Sequence, residues 1–172
     1  MQEQQTQPFI LTIELDQASR LFFDRQRTLY FPQERNYLPA HLSLFHQLPP
    51  NQETVQYLET IQYLQFEMEV TKLIKLGGGV AYFLQSQELS ALHQQLASYF
   101  KDQLIPQDLQ AYRPHITIQN KVAPVKAASL FDGLSKDFSP FKVRAEGLNL
   151  WTYLGGPWKH EQLFSFSKEL LQ

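Results

Sequence analysis

At 172 residues the chain has room for one domain, or for two small lobes sharing a core. Its 43% hydrophobic and 13% aromatic content supports a sizeable core, and a formal net charge of −2 excludes a protein that coats long nucleic acid with a strongly basic surface. The absence of cysteine excludes a disulfide framework and any zinc site built on thiolates.

The polar start, Met1 to Gln7, lacks the basic region and long apolar stretch of a signal peptide, and no run approaches the roughly 20 apolar residues of a membrane span. The expectation is a cytoplasmic protein with no membrane partner. Phe9 to Leu15 reads as a strand, and Asp16 is placed to cap the helix that follows over about residues 17 to 30, with Leu21, Phe22, Arg25 and Leu29 at helical spacing. Phe31 to Pro39 is a loop carrying Arg35, Asn36 and Tyr37.

Leu38 to Leu44 then reads Leu-Pro-Ala-His-Leu-Ser-Leu, an alternating segment that places His41 and Ser43 on one strand face and Leu42 and Leu44 on the other. Pro49-Pro50-Asn51 ends it. Val55, Leu58, Ile61 and Leu64 mark an amphipathic helix, and Phe66 to Leu76 alternates as a strand.

After Gly77-Gly78-Gly79 the order repeats. The triplet has no following Lys-Ser/Thr and is read as a turn, not a phosphate-binding loop. Val80 to Leu84 is a strand; Leu89, Leu92, Leu96 and Tyr99 line a helix that Ser86 caps; residues 101–112 form a loop. Tyr112 to Ile118 then restates the first motif as Tyr-Arg-Pro-His-Ile-Thr-Ile, with His115 and Thr117 on one face. Leu48 and Pro50 stand at the same offsets from His41 as Val122 and Pro124 from His115. Val125 to Leu134 is a short helix, Phe141 to Tyr153 an extended segment broken at Gly147, residues 154–158 a turn, and Leu163 to Phe166 a closing strand.

Each half therefore reads strand, helix, motif strand, helix, strand. The predicted fold is α+β and bilobal: two pseudo-symmetric βαβαβ lobes with antiparallel sheets facing a central cleft, in one domain over residues 1–172 with the lobe boundary near 77–79. Two imidazoles on one cleft suit a reaction that takes a proton from one atom and gives one to another. Ser43 and Thr117 can donate to an anion between them, and a phosphate held there would have its attacking and leaving oxygens beside opposite histidines. The extended backbone before Pro114 puts Arg113 on the His115 side as an added phosphate contact.

These residues resemble the two-histidine (2H) phosphoesterase superfamily, and within it the 2′-5′ RNA ligase-like branch, over most of the chain from Phe9 onward. The resemblance rests on His41-Leu42-Ser43-Leu44 and Arg113-Pro114-His115-Ile116-Thr117-Ile118, with Ala40, the Leu44-Phe45-His46 sequence and Leu154-Gly155-Gly156-Pro157-Trp158 in support. It implies metal-independent hydrolysis of a cyclic 2′,3′-type or 2′-linked phosphodiester of a nucleotide or RNA end, with reverse ligation in some members. His41 and His115 would be acid and base, with no cofactor. Ser43 stands where threonine is more frequent, which keeps the hydroxyl and loses a methyl. With few cations near the motifs beyond Arg35, Arg113 and Lys121, binding of long duplexes is not expected.

Phe45, Tyr37 and Trp158 are the candidate stacking surfaces for a base. His46 alternates to the face opposite His41, and His93 and His160 are read as structural or solvated. No Asp or Glu lies at a convincing spacing for a metal, and a monomer is expected. The rival reading is a non-catalytic module that binds nucleotides or RNA ends.

Overall fold

The computed structural model describes residues 7–169; the first six residues of the polar leader lie outside them. Seven strands and four α-helices are present among these residues: β1 (Phe9–Leu15), α1 (Gln17–Tyr30), β2 (Leu42–Leu48), α2 (Gln52–Glu59), β3 (Phe66–Leu76), β4 (Gly79–Gln85), α3 (Gln87–Phe100), β5 (His115–Gln119), α4 (Pro124–Ser135), β6 (Phe141–Tyr153) and β7 (Trp158–Ser165). No helix among them is long and apolar enough to cross a membrane.

The strands form one antiparallel sheet in the order β1-β2-β5-β4-β3-β6-β7, with β1 also paired to β6. Exchanging β1 with β4, β2 with β5 and β3 with β6 turns every pairing among these six strands into another that is present, so the duplicated order read from the sequence reappears as a duplicated pairing pattern. Each half gives its last strand to the other: β3 pairs with β4 along most of its length, and β6 with β1. The glycine triplet is consequently the turn of the β3–β4 hairpin, not a linker between separately paired sheets. Gly79 is required there, because a Cβ would overlap the Gln119 carbonyl oxygen of the neighbouring strand. Gly79→Ala is expected to destabilise the protein by about 1–3 kcal/mol through overpacking against backbone, measured by denaturant unfolding.

The predicted caps form: Asp16 accepts from the Ser19 N–H at 2.9 Å and Ser86 from Leu89 at 3.2 Å; Asn51, read only as the end of the preceding strand, also caps α2, accepting from Thr54 at 2.9 Å. Helix α2 is shorter than the apolar spacing suggests: the Thr60 hydroxyl donates to the Tyr57 carbonyl at 2.6 Å and the chain leaves the helix, so Ile61 and Leu64 lie beyond it. Gly147 does not interrupt β6. A Cβ at that position would stand 2.5 Å from the Phe164 oxygen, so the glycine permits β7 to approach. β7 also starts earlier than expected, at Trp158.

Helix α1 presents the unexpected face. Ser19, Phe23 and Arg27 are buried, whereas Leu21 and Leu29 are 63% and 60% exposed. The reason is specific: Asp24 and Arg27 are used to hold the two motif strands, and they turn that side of the helix inward. Leu42, Leu44, Ile116 and Ile118, the apolar partners of the motif residues, are buried as expected.

Candidate active site

The motif strands β2 and β5 meet at one register pair, Leu42 with Ile116. Antiparallel register then sets His41 across from Thr117 and Ser43 across from His115, so the four polar side chains share the face opposite the two buried apolar ones. All four are half-buried and line one cleft of about 270 Å³, with Arg113 at its rim. The predicted constellation is brought together.

The cleft opens because the β2–β5 ladder stops after that pair. The free edge of β2 is satisfied by Asp108, whose carboxylate accepts the His46 N–H at 2.9 and 3.0 Å and the Gln47 N–H at 3.0 Å. Burial works against the charge of Asp108, but the bonds from His46 and Gln47 outweigh it and hold its pKa below the ordinary carboxylate value.

Both catalytic candidates are oriented in the same way. His41 Nδ1 lies 2.8 Å from the Pro39 carbonyl and His115 Nδ1 2.7 Å from the Arg113 carbonyl. A carbonyl only accepts, so each Nδ1 carries the proton and each Nε2 is left for the cleft. Burial pushes His41 down to about 4; the Pro39 carbonyl opposes this, while Arg27, His46 and His115 add to it. His41 is therefore neutral at neutral pH, with a free lone pair on Nε2.

Helix α1 grips both motif strands from behind. Asp24 accepts the Ala40 N–H at 2.8 Å, beside His41. Arg27 donates from Nε to Asn36 at 2.8 Å and from Nη1 to the Thr117 carbonyl at 3.2 Å, with its guanidinium 3.9 Å from the centre of the Phe31 ring. Burial lowers Arg27 to about 10, opposed by Asp24, so it stays cationic at neutrality. Its counterpart across the site is Tyr112, whose hydroxyl donates to the Ser43 carbonyl at 3.0 Å.

The stacking candidates separate. Trp158 lies against His41, ring centres 4.5 Å apart, and the two border a second pocket of about 410 Å³ that includes Trp151, His160, Asn149 and Glu14. Phe45 is instead fully buried, stacked on His93 at 4.8 Å, because β2 carries a bulge between the pairs Leu11–Phe45 and Thr12–Ser43 that sends both Leu44 and Phe45 into the core. Tyr37 is 66% exposed and lines neither cavity, since its loop turns outward after Asn36 is held by Arg27. Arg35 and Lys121 also lie outside both cavities.

The same bulge corrects the reading of His46. One extra residue in β2 reverses the alternation beyond it, and His46 lines the cleft beside His41 and Ser43 instead of facing away. His93 also reaches the cleft, stacked at 3.9 Å on Tyr112. His160 is bonded through Nε2 to Asn149 at 2.8 Å, and Asn149 in turn donates to Glu14. Nothing in simple alternation marks Asp108, Tyr112 or Arg27, which act through loops and a helix. Among the described residues no group of three His, Cys, Asp or Glu side chains is placed to hold a metal ion.

Residues 15–157 match the model of the 2′-5′ RNA ligase superfamily. Similar solved structures include TT0787 of Thermus thermophilus, 18% identical with a TM-score of 0.64 over 92% of this chain and 97% of that one. E. coli LigT in complex with 3′-AMP is 16% identical, with a TM-score of 0.61 over 95% of this chain and 99% of that one. At these identities the likeness is one of fold. The sequence matches no curated protein.

Proposed function

This chain belongs to the 2′-5′ RNA ligase superfamily, and we propose that it is a metal-independent phosphodiesterase acting on a cyclic 2′,3′-type or 2′-linked phosphodiester at a nucleotide or RNA end. Family membership supports phosphoesterase-type activity. The observation that carries the finer reading is the matched pair of imidazoles lining one cleft, each with Nδ1 tied to a backbone carbonyl.

In this reading His41, neutral at working pH, removes a proton from water as its oxygen attacks phosphorus. His115 gives a proton to the ribose oxygen as its bond to phosphorus breaks, and the product is a phosphomonoester beside a free hydroxyl. Ser43, Thr117 and Arg113 hold the non-bridging oxygens. Trp158 stacks the base, with the neighbouring pocket receiving it. The 3′-AMP complex of E. coli LigT fits such a nucleotide-sized occupant. Run in reverse, the same two proton transfers would join RNA ends. The protein acts as a cytoplasmic monomer, and because each half supplies one histidine the whole chain is one functional unit.

The test is product identity from a panel of 2′,3′-cyclic nucleotides, 2′-5′ dinucleotides and cyclic-phosphate-ended RNAs. Binding of all three without turnover would favour the non-catalytic module. Net charge predicts a small footprint. The log-log dependence of the RNA-end binding constant on salt should have a shallow slope, equivalent to about one to three phosphates, and a slope typical of duplex-coating proteins would contradict it.

A further inference from the structure

Two histidines that border the cleft, His46 and His93, are not used by the proposed chemistry, and His46 is the one held by a carboxylate. His46 stands on the far side of the β2 bulge with its side chain 46% exposed, and its Nδ1 lies 2.7 Å from the Asp108 carboxylate, which is itself 2% exposed. Asp108 also takes the backbone N–H groups of His46 and Gln47, so the carboxylate is fixed from several directions and fixes the ring in turn. The Nδ1–H is thereby committed, and Nε2 is the ring's remaining polar atom. The ring borders the same cleft as His41, Ser43 and Arg113.

This arrangement breaks the two-fold pattern of the site. The residue at the same offset from His115 is Asn120, whose side-chain oxygen accepts the Lys121 N–H, and which does not border the cleft. The aromatic pocket of Trp158 and Trp151 also lies to one side of His41 only. A ligand crossing this face therefore meets an aromatic surface, then the four motif residues, then an imidazole backed by a carboxylate. Because the bulge sets two residues of β2 against one of β1, the step from Ser43 to His46 covers about two strand residues, about 7 Å, which is room for two phosphate groups carried by one nucleotide.

Resting on the reading of the cleft as a phosphodiester site, we propose that His46, oriented by Asp108, binds a second phosphate of the substrate, the one on the 5′ side of the terminal ribose. As imidazolium it keeps both N–H groups bonded, Nδ1 to Asp108 and Nε2 to a phosphate oxygen. The second phosphate can belong to a free nucleotide or to the last internucleotide linkage of an RNA end.

The experiment is calorimetric binding of three probes: adenosine 3′-monophosphate, adenosine 3′,5′-bisphosphate, and the ApA dinucleotide with a 3′-phosphate. Wild type should bind one or both of the probes that carry a second phosphate about 10- to 100-fold tighter than the monophosphate, the worth of one hydrogen bond to a charged group. The bisphosphate leading identifies free nucleotides as the source, and the dinucleotide leading identifies RNA ends. In His46→Ala and in the bulk-preserving His46→Gln the preference should fall to within about 2-fold. A purely structural role for the His46–Asp108 pair would leave the ratio unmoved, so an unchanged ratio in both variants, or no preference in wild type, overturns the proposal. No turnover enters this comparison. A His46-dependent preference in a protein that hydrolyses no cyclic phosphate would refute the proposed activity and leave the subsite standing.

Discussion

Replacing either His41 or His115 by alanine is expected to lower kcat by about 10² to 10⁴, the usual effect of losing a positioned acid or base. In the proposed displacement the two imidazoles act together, so the double variant should be only slightly slower than the poorer single one. Ser43→Ala and Thr117→Val remove a donor to the phosphate and leave the proton path in place. Each should cost about 1.5–3 kcal/mol of transition-state stabilisation. Steady-state kinetics on the best substrate of the panel checks the whole set, and near-wild-type turnover in either histidine variant would remove the paired acid-base assignment.

The second large effect is in the pH profile. His41 must be neutral to accept a proton, and burial together with Arg27, His46 and His115 holds it down to about 4 against the Pro39 carbonyl. Activity should therefore persist as pH falls through the ordinary histidine range near 6.5 and decline only toward 4, while the alkaline limb reports loss of the proton from the acid partner. The limbs belong to a coupled pair, so they are compared between variants and not assigned one residue each. Trp158 packs 4.5 Å from His41 and contributes to its burial. Trp158→Ala should move the acid limb upward toward the ordinary histidine value and raise KM where the base is large. An acid limb near 6.5 in wild type, unmoved by the tryptophan variant, would contradict the role of His41 as base.

The residues that announce the site sit on a short alternating segment repeated once. That makes them legible in sequence: strand alternation fixes which side chains share a face, and the copy fixes that both faces meet. Alternation also explains where the reading stopped. It assumes an unbroken ladder, and one bulged residue in β2 moved Phe45 from the expected stacking surface into the core and brought His46 to the cleft. Helix α1 illustrates a different limit. Its apolar spacing pointed to Leu21 and Leu29, but the face that packs inward carries Arg27, and a buried guanidinium that bonds Asn36 and the Thr117 carbonyl has no signature in hydrophobic periodicity. Asp108 satisfies a strand edge from a loop 62 residues beyond His46, and only the fold connects the two.

The pairing pattern adds what the duplicated element order leaves open. Each half of the chain completes the other's strands, so the two motifs are held by one continuous sheet, tied at Leu42–Ile116 and open beyond it. Helix α1, from the first half, bonds both Ala40 and Thr117. The two histidines are thus positioned by shared elements, consistent with their acting as a unit.

The most direct measurement is hydrolysis of a nucleoside 2′,3′-cyclic phosphate in strong chelator, with the product read by phosphorus NMR. A fixed base on one side of phosphorus and a fixed acid on the other predict turnover that survives the chelator and yields a single phosphomonoester, either the 2′ or the 3′ isomer. Turnover abolished by the chelator and restored by a divalent ion, or a mixture of both isomers, would contradict a metal-free displacement between His41 and His115.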